Sequence, residues 1–343
     1  MPCSLVRRPT SSTLRAVLAV SPARLLASLV VPFCVAATVG LFGWRAGAGL
    51  WPGVLALVAG VALVLRGPLR RARAAGTPLP PEAAAWFTTY VPLYTRADAE
   101  GRARFEHAAR VFLGEQRFEA VAGTTWTDAR RLAVAAGAAT IFHGRPGWTF
   151  STRRSFLLYP STFDNDYHDD AREGEFDGMA HQQGPVIFSA PALDEAWAFD
   201  DGQNVVVHEL AHLLDFTGTG VDGAPSLMDP ASGDAWAALV RRETQRVKVG
   251  KSLLRAYAAT NAAEFFAVAT EVFFERPTAL GRRHPELFAA LAAFFQFDPR
   301  SEERGSEQRE RDEEQERPVD EDDEHEEPER EHGRPRGGGR PAR

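Results

Sequence analysis

Apolar and polar positions divide the chain into three stretches of different character. Leu25 to Trp44 holds twenty residues without a charge, and Ala48 to Leu65 holds eighteen more, with only Arg45-Ala-Gly47 between them. Each run is long enough to cross about 30 Å of hydrocarbon, so a hairpin of two membrane helices joined by a tight turn is expected. Pro32 and Pro52 fall inside or at the start of these runs, where membrane helices tolerate proline. From residue 84 the pattern turns mixed. Helical periodicity is expected around 84–113, 126–139, 203–217, 232–248, 261–275 and 284–295, and strands around 139–143, 155–159 and 184–189. The 261–275 helix should be ended by Pro277. From Ser301 onward apolar positions almost vanish.

These patterns give five segments: a basic start (1–24), two apolar spans with a basic flank (25–75), a Pro-rich linker (76–83), a globular unit (84–300) and a tail (301–343). About 220 residues suffice for one full core. The mixture of elements predicts an α+β fold, helix-rich, with a small sheet beside a central helix. No internal repeat is visible.

Charge sharpens this division. The tail carries 17 acidic and 9 basic residues, a net of −8 against −7 for the whole chain. So charged and so poor in apolar residues, it cannot bury a core and should be disordered, as a solvating tail or one for a basic protein partner of unknown identity. Nucleic-acid binding is disfavoured, since the globular part shows no basic stripe. At the other end no acidic residue precedes Glu82. Arg7, Arg8, Arg15 and Arg24 precede the first span, Arg66, Arg70, Arg71 and Arg73 follow the second, and Arg45 alone lies between. By the positive-inside rule both ends of the hairpin face the cytoplasm, and the globular unit with them. Trp44 and Trp51 flank the outer turn as interface anchors. A cleaved signal peptide would have a shorter apolar core, and a transit peptide would lack such long apolar runs.

The candidate chemistry lies in Val205-Val-Val-His-Glu-Leu-Ala-His-Leu-Leu-Asp-Phe216. On a helix His208 and His212 project from one face, four residues apart. Two imidazoles so placed can hold a divalent zinc, with Glu209 beside them to act as a base on an activated water. The motif is embedded in apolar residues, so these polar groups need partners or a metal. Asp200 or Asp201 can cap this helix and Gly218-Thr219-Gly220 can stop it. The apolar stretch is too short, and too closely bracketed by aspartates, for an intramembrane protease.

A third ligand must come from elsewhere. Glu264 and Glu271 lie seven apart on the 261–275 segment and share a helix face. Glu264 can alternatively close a capping box with Asn261, and Glu271 can be an exposed charge or an ion pair. Spacing alone leaves both open. Asp215, one turn past His212, is a candidate to orient a ligand histidine, or simply a carboxylate near a helix end. Cys3 and Cys34 both lie upstream of the globular unit, which excludes a thiol nucleophile there. Asp164–Glu175 imitates a calcium loop but has Asp169 where a glycine is needed. The other histidines of the unit show no metal spacing.

Several blocks together carry a resemblance. They are Phe156-Leu-Leu-Tyr-Pro160, Gln182-Gln-Gly-Pro-Val186, the His208 motif with Leu214-Asp215, Ala256-Tyr-Ala-Ala259 with Ala263-Glu-Phe-Phe266, and Phe294-Phe-Gln-Phe-Asp-Pro299. In this order they resemble the MtfA-type zinc metallopeptidases, bacterial proteins whose catalytic domain resembles that of anthrax lethal factor. The resemblance covers residues 84–300 and implies one Zn2+ held by His208, His212 and Glu264, with Glu209 as general base. It implies that Tyr257 steadies the oxyanion, leaving Glu271 as a helix-face residue or one behind the ligands. It also implies a peptide or protein substrate, its backbone paired to an edge strand, for which 184–189 is the candidate. With the hairpin, the expected location is the bacterial inner membrane, catalytic unit in the cytoplasm. The rival expectation is a regulatory protein-binding module on the same fold that cleaves little or nothing.

Overall fold

A computed structural model describes residues 22–301, apart from 122, 149, 151–152, 165–175, 200 and 216–229, together with residue 305. Most of the basic start, nearly all of the acidic tail, the calcium-loop imitation and the expected glycine stop at 218–220 lie outside the described residues.

The two apolar runs form helices α1 (Pro22–Arg45) and α2 (Trp51–Ala75), each long and apolar enough to cross a membrane. They pack as an antiparallel hairpin at close range. A Cβ on Gly53 would meet the Ala36 carbonyl oxygen at 2.6 Å, and one on Gly60 would meet Pro32 at 2.6 Å. Such glycine contacts let helix backbones approach where lipid supplies no hydrophobic drive. The connecting turn places Gly47 and Gly49 at positive φ, conformations that glycine adopts at low cost.

Helix α2 runs past its apolar part into the globular region. Its last turn packs on α5 (Ala99–Glu115), where a Cβ on Gly114 would fall 2.4 Å from Ala74 Cβ. Arg70 and Arg71 approach the buried Glu115 carboxylate at 3.5 and 3.4 Å.

The expected long helix over 84–113 is three helices, α3 (Ala83–Tyr90), α4 (Pro92–Arg96) and α5. Pro92 opens α4 after an extended Val91, and Asp98 caps α5 by accepting the Gly101 N–H at 2.7 Å. These breaks follow from proline's locked φ and from the preference of short carboxylates for cap positions. The strand expected at 139–143 is instead the end of α6 (Asp128–Ile141), with Phe142 N–H still bonded to Ala138 O. An alanine-rich run buried on all sides reads equally as strand or helix by hydropathy, and here the continuing hydrogen-bond ladder decides.

The sheet has four short strands in the order β1-β2-β4-β3: β1 (Arg117–Ala120), β2 (Ser155–Tyr159), β4 (Val186–Ser189) and β3 (Gly178–Ala180). β1, β2 and β4 are parallel and β3 is antiparallel to β4. Strand β2 alternates, burying Phe156 and Leu158, while β4 is buried throughout, as a strand covered on both faces should be. Strand β4 is thus interior, which corrects the expectation that 184–189 is the edge; β3 is.

After β4 come α7 (Ala190–Glu195), the motif helix α8 (Val205–Asp215), α9 (Pro230–Lys248), a 3-10 turn (Ala256–Ala259) and α10 (Ala262–Glu275). Helices α11 (Pro277–Arg283) and α12 (Pro285–Phe295) close the chain of elements. Helix α8 is buried from Val206 to Asp215. It lies between α6, α10 and strand β3. A Cβ on Gly137 of α6 would lie 2.5 Å from Val206 Cγ1, so that glycine sets the α6–α8 spacing. The fold is therefore α+β, helix-rich with a small mixed sheet.

Replacing Gly137 by leucine should overpack this contact and cost about 1–3 kcal/mol. Denaturant unfolding of the full chain in detergent checks it, and an unchanged midpoint would refute the close packing.

Candidate metal centre

Helix α8 is capped by Asn204 and not by Asp201. Asn204 Oδ1 accepts the Val206 and Val207 N–H groups, both at 3.1 Å, while its Nδ2 donates to Ala196 O at 2.7 Å. Asp201 instead accepts the Gln203 N–H at 2.9 Å, and Asp200 lies outside the described residues. A buried asparagine can satisfy three backbone groups at once, which a carboxylate without donors cannot.

Helix α10 begins at Asn261, whose Oδ1 accepts the Glu264 N–H at 2.9 Å. That is half of a capping box. The Glu264 side chain does not fold back; its Oε2 lies 3.0 Å from His208 Nε2 and 3.5 Å from His212 Nε2. The two histidine Nε2 atoms are 3.2 Å apart. Ligand atoms about 2.0–2.1 Å from a tetrahedral zinc stand roughly 3.3 Å from one another. The triangle of 3.0, 3.2 and 3.5 Å matches that edge length, and two nitrogens with one carboxylate are a donor set suited to zinc. Among the described residues this is the one cluster of its kind.

Behind the triangle stands Glu271. Its Oε1 accepts from His208 Nδ1 at 2.7 Å and its Oε2 from the Asn204 N–H at 2.7 Å. Glu264 and Glu271 thus hold opposite nitrogens of one imidazole. Arg255 pairs with both Glu271 oxygens at 2.9 Å. Asp215 is wholly buried one turn past His212; the carboxylate resting on the Nδ1 of His208 is Glu271.

Glu209 is buried beside the triangle, beneath strand β3. A Cβ on Gly178 would lie 2.7 Å from Glu209 Oε1, so only a glycine strand position leaves the carboxylate room. Tyr257, on the 3-10 turn, is 44% exposed, its ring centroid 6.0 Å from that of His208. His208, Glu209, His212, Tyr257 and Glu264 all line one open cleft, bordered by Gly178, Met179 and Ala180 of β3. Sequence reasoning missed Asn204, Gly178 and Arg255. Asn204 stood at a preferred capping residue type just before the motif; nothing in the spacing pointed to the other two.

The electrostatics follow from burial and proximity. Burial pushes the His208 imidazole down, but hydrogen bonds to Glu264 and Glu271 outweigh it and hold the ring well above its usual range. Burial pushes the Glu264 carboxyl up, but the two histidines outweigh it and leave it well below the carboxylate range. Burial raises Glu209, against the pull of both imidazoles. Burial and the Glu264 and Glu209 charges raise the Tyr257 phenol, which keeps it a donor at neutral pH.

Residues 67–296 match the model of the glucose-regulated metallo-peptidases M90. The chain belongs to that family. The match begins within α2, where that helix packs on α5. Among relatives, an uncharacterized protein of Synechocystis is 28% identical over 239 residues, 65% of this chain and 86% of that protein. The Mlc titration factor A of Salmonella typhi is 32% identical over 225 residues, 61% of this chain and 84% of the relative. That of Yersinia enterocolitica is 34% identical over 157 residues, 42% and 58% respectively. The metallopeptidase family implies a metal, and the His208–His212–Glu264 triangle is a cluster that could hold one.

The two carboxylates on its ring raise His208, which favours a proton there in the metal-free protein, so metal binding should displace that proton. Zinc affinity should rise by about tenfold per pH unit between pH 6 and 8, with about one proton released per metal. Calorimetry in buffers of different ionisation enthalpy measures this; a pH-independent affinity would count against the triangle as the binding site. Glu264→Ala should lose the metal, measured by elemental mass spectrometry.

Proposed function

We propose that this chain is a membrane-anchored zinc peptidase, with His208, His212 and Glu264 as ligands. The observation that carries the reading is the convergence of these three donors at 3.0–3.5 Å beside a buried Glu209, on a cleft whose rim is a sheet edge. Bound there, zinc supplies an activated water at neutral pH and polarises the substrate carbonyl.

The chain's own residues do the rest. Glu209, buried next to the triangle, takes the proton from the attacking water and delivers it to the leaving amine. Tyr257 donates its hydroxyl hydrogen to the developing oxyanion. Strand β3 ends the sheet, paired to β4 on one side, and its residues line the cleft; an extended peptide adding to its other side by backbone hydrogen bonds would leave specificity to side-chain pockets. Asp215 is assigned to orienting His212. The peptidase unit spans 84–300, with α1 and α2 as its anchor in the bacterial inner membrane. The arginine distribution supports a cytoplasmic side for this unit.

A second reading is favoured by the relatives' name, Mlc titration factor A. On it, the chain binds a protein partner of the Mlc kind and uses the same fold chiefly for capture. The two readings differ in whether Glu209 matters.

Glu209→Gln should leave zinc content intact and reduce peptide hydrolysis by about 10²–10⁴-fold. Tyr257→Phe should keep the metal and lower kcat by about 10²-fold. Hydrolysis of a quenched-fluorescence peptide library by the zinc-loaded full chain reads both. If the zinc-loaded wild type cleaves nothing while it and Glu209→Gln bind Mlc equally, the capture reading replaces the peptidase one.

A further inference from the structure

Arg255 precedes the Tyr257 turn and belongs to no metal-binding motif, yet its contacts converge on the centre. Nη1 and Nη2 each reach a different oxygen of Glu271 at 2.9 Å, a two-pronged pairing with a carboxylate only 1% exposed. Nη2 also lies 3.4 Å from His208 Nδ1, and Nη1 lies 3.5 Å from Gly202 O. The guanidinium carbon stands 5.8 Å from the centre of the Tyr257 ring. One side chain thus touches the approach to α8, the carboxylate of α10 and the turn that carries Tyr257.

A carboxylate with a single hydrogen-bond partner can rotate about its terminal torsion, which is broad and roughly two-fold. Glu271 has three anchors: Asn204 N–H on one oxygen, and Arg255 as a fork across both. The fork fixes the carboxylate plane, and that leaves Oε1 aimed at His208 Nδ1. A ring held at Nδ1 presents Nε2 outward, toward Glu264 and His212. Planar paired donors impose this geometry; a single ammonium does not.

We propose that Arg255 is a positioning residue, which holds Glu271 in the orientation that aims His208 at the metal. The inference rests on the zinc reading of the centre, because its consequence is metal affinity. Arg255 lies on the Nδ1 side of His208, away from the Nε2 triangle, and its shortest contacts are to Glu271, so its effect on the metal passes chiefly through that carboxylate.

The test is the zinc dissociation constant of the full chain in detergent, by competition with a chromophoric chelator. It compares wild type, R255A, R255K, E271Q and the R255A/E271Q double variant, with a thermal melt of each metal-free protein. R255A should weaken zinc binding about tenfold or more, within the range for residues that orient ligands. E271Q should do likewise, and the double variant should be no worse than the weaker single one, because both act on the same ring. R255K keeps the charge without the fork and should recover only part of the affinity. An R255A affinity within about twofold of wild type, or losses that multiply in the double variant, would overturn the proposal. Should R255A not fold, R255K decides alone: wild-type affinity there overturns it. A wild type that binds no zinc removes the metal reading itself, whereas zinc-binding wild type with indifferent Arg255 variants removes only this inference.

Discussion

One buried imidazole organises the functional half of this protein. His208 is held between two carboxylates of a single helix, Glu264 on Nε2 and Glu271 on Nδ1. These lie two turns apart, about 10 Å along the axis at 1.5 Å per residue, and an imidazole from a neighbouring helix fits between them. That fit fixes how α8 and α10 pack. Burying so many ionisable groups is costly unless each is paired, and here the pairing is nearly complete. Asn204 and Arg255 complete it on the inner side, while the outer side is left as a triangle of donors facing the cleft.

The remaining elements serve that contact. Small residues on α6, with Gly137 at the closest point, bring an alanine-rich face against α8. Strand β3 passes close over Glu209 because Gly178 has no side chain to prevent it. Burial raises the Glu209 carboxyl above its ordinary value, against the pull of both imidazoles. Tyr257 remains half-exposed at the cleft, on a turn tied back to the buried carboxylate through Arg255. A rigid inner face and an accessible outer face are what a site needs to hold a metal and still admit a substrate.

The apolar hairpin is joined to this unit by packing as well as by chain. Helix α2 ends with Ala74 against Gly114 and two arginines on the buried Glu115. The family match begins at residue 67, within this docked portion of α2. A helix that enters the globular core in this way holds it at a fixed distance from the hairpin, and a flexible tether does not.

The sequence by itself determined the metal motif, because four-residue spacing on a helix is a local property that puts His208 and His212 on one face. It also determined the two apolar spans, the charged tail, strand β2 and most helices, since hydropathy period and cap chemistry act over a few residues. Spacing alone left open which of Glu264 and Glu271 faces the donor triangle; the family resemblance implied Glu264, and the tertiary structure brings Glu264 to the triangle with Glu271 behind it. Both lie on the same face of the same helix, so the choice depends on the height at which α8 crosses α10. Asn261 shows the limit well: its cap forms as spacing predicts, yet the Glu264 side chain answers to a partner 56 residues away. The Asn204 cap is local, and its residue type was its signal. The edge strand and Arg255 carried no such sign, because long-range pairing leaves no signature in either partner alone.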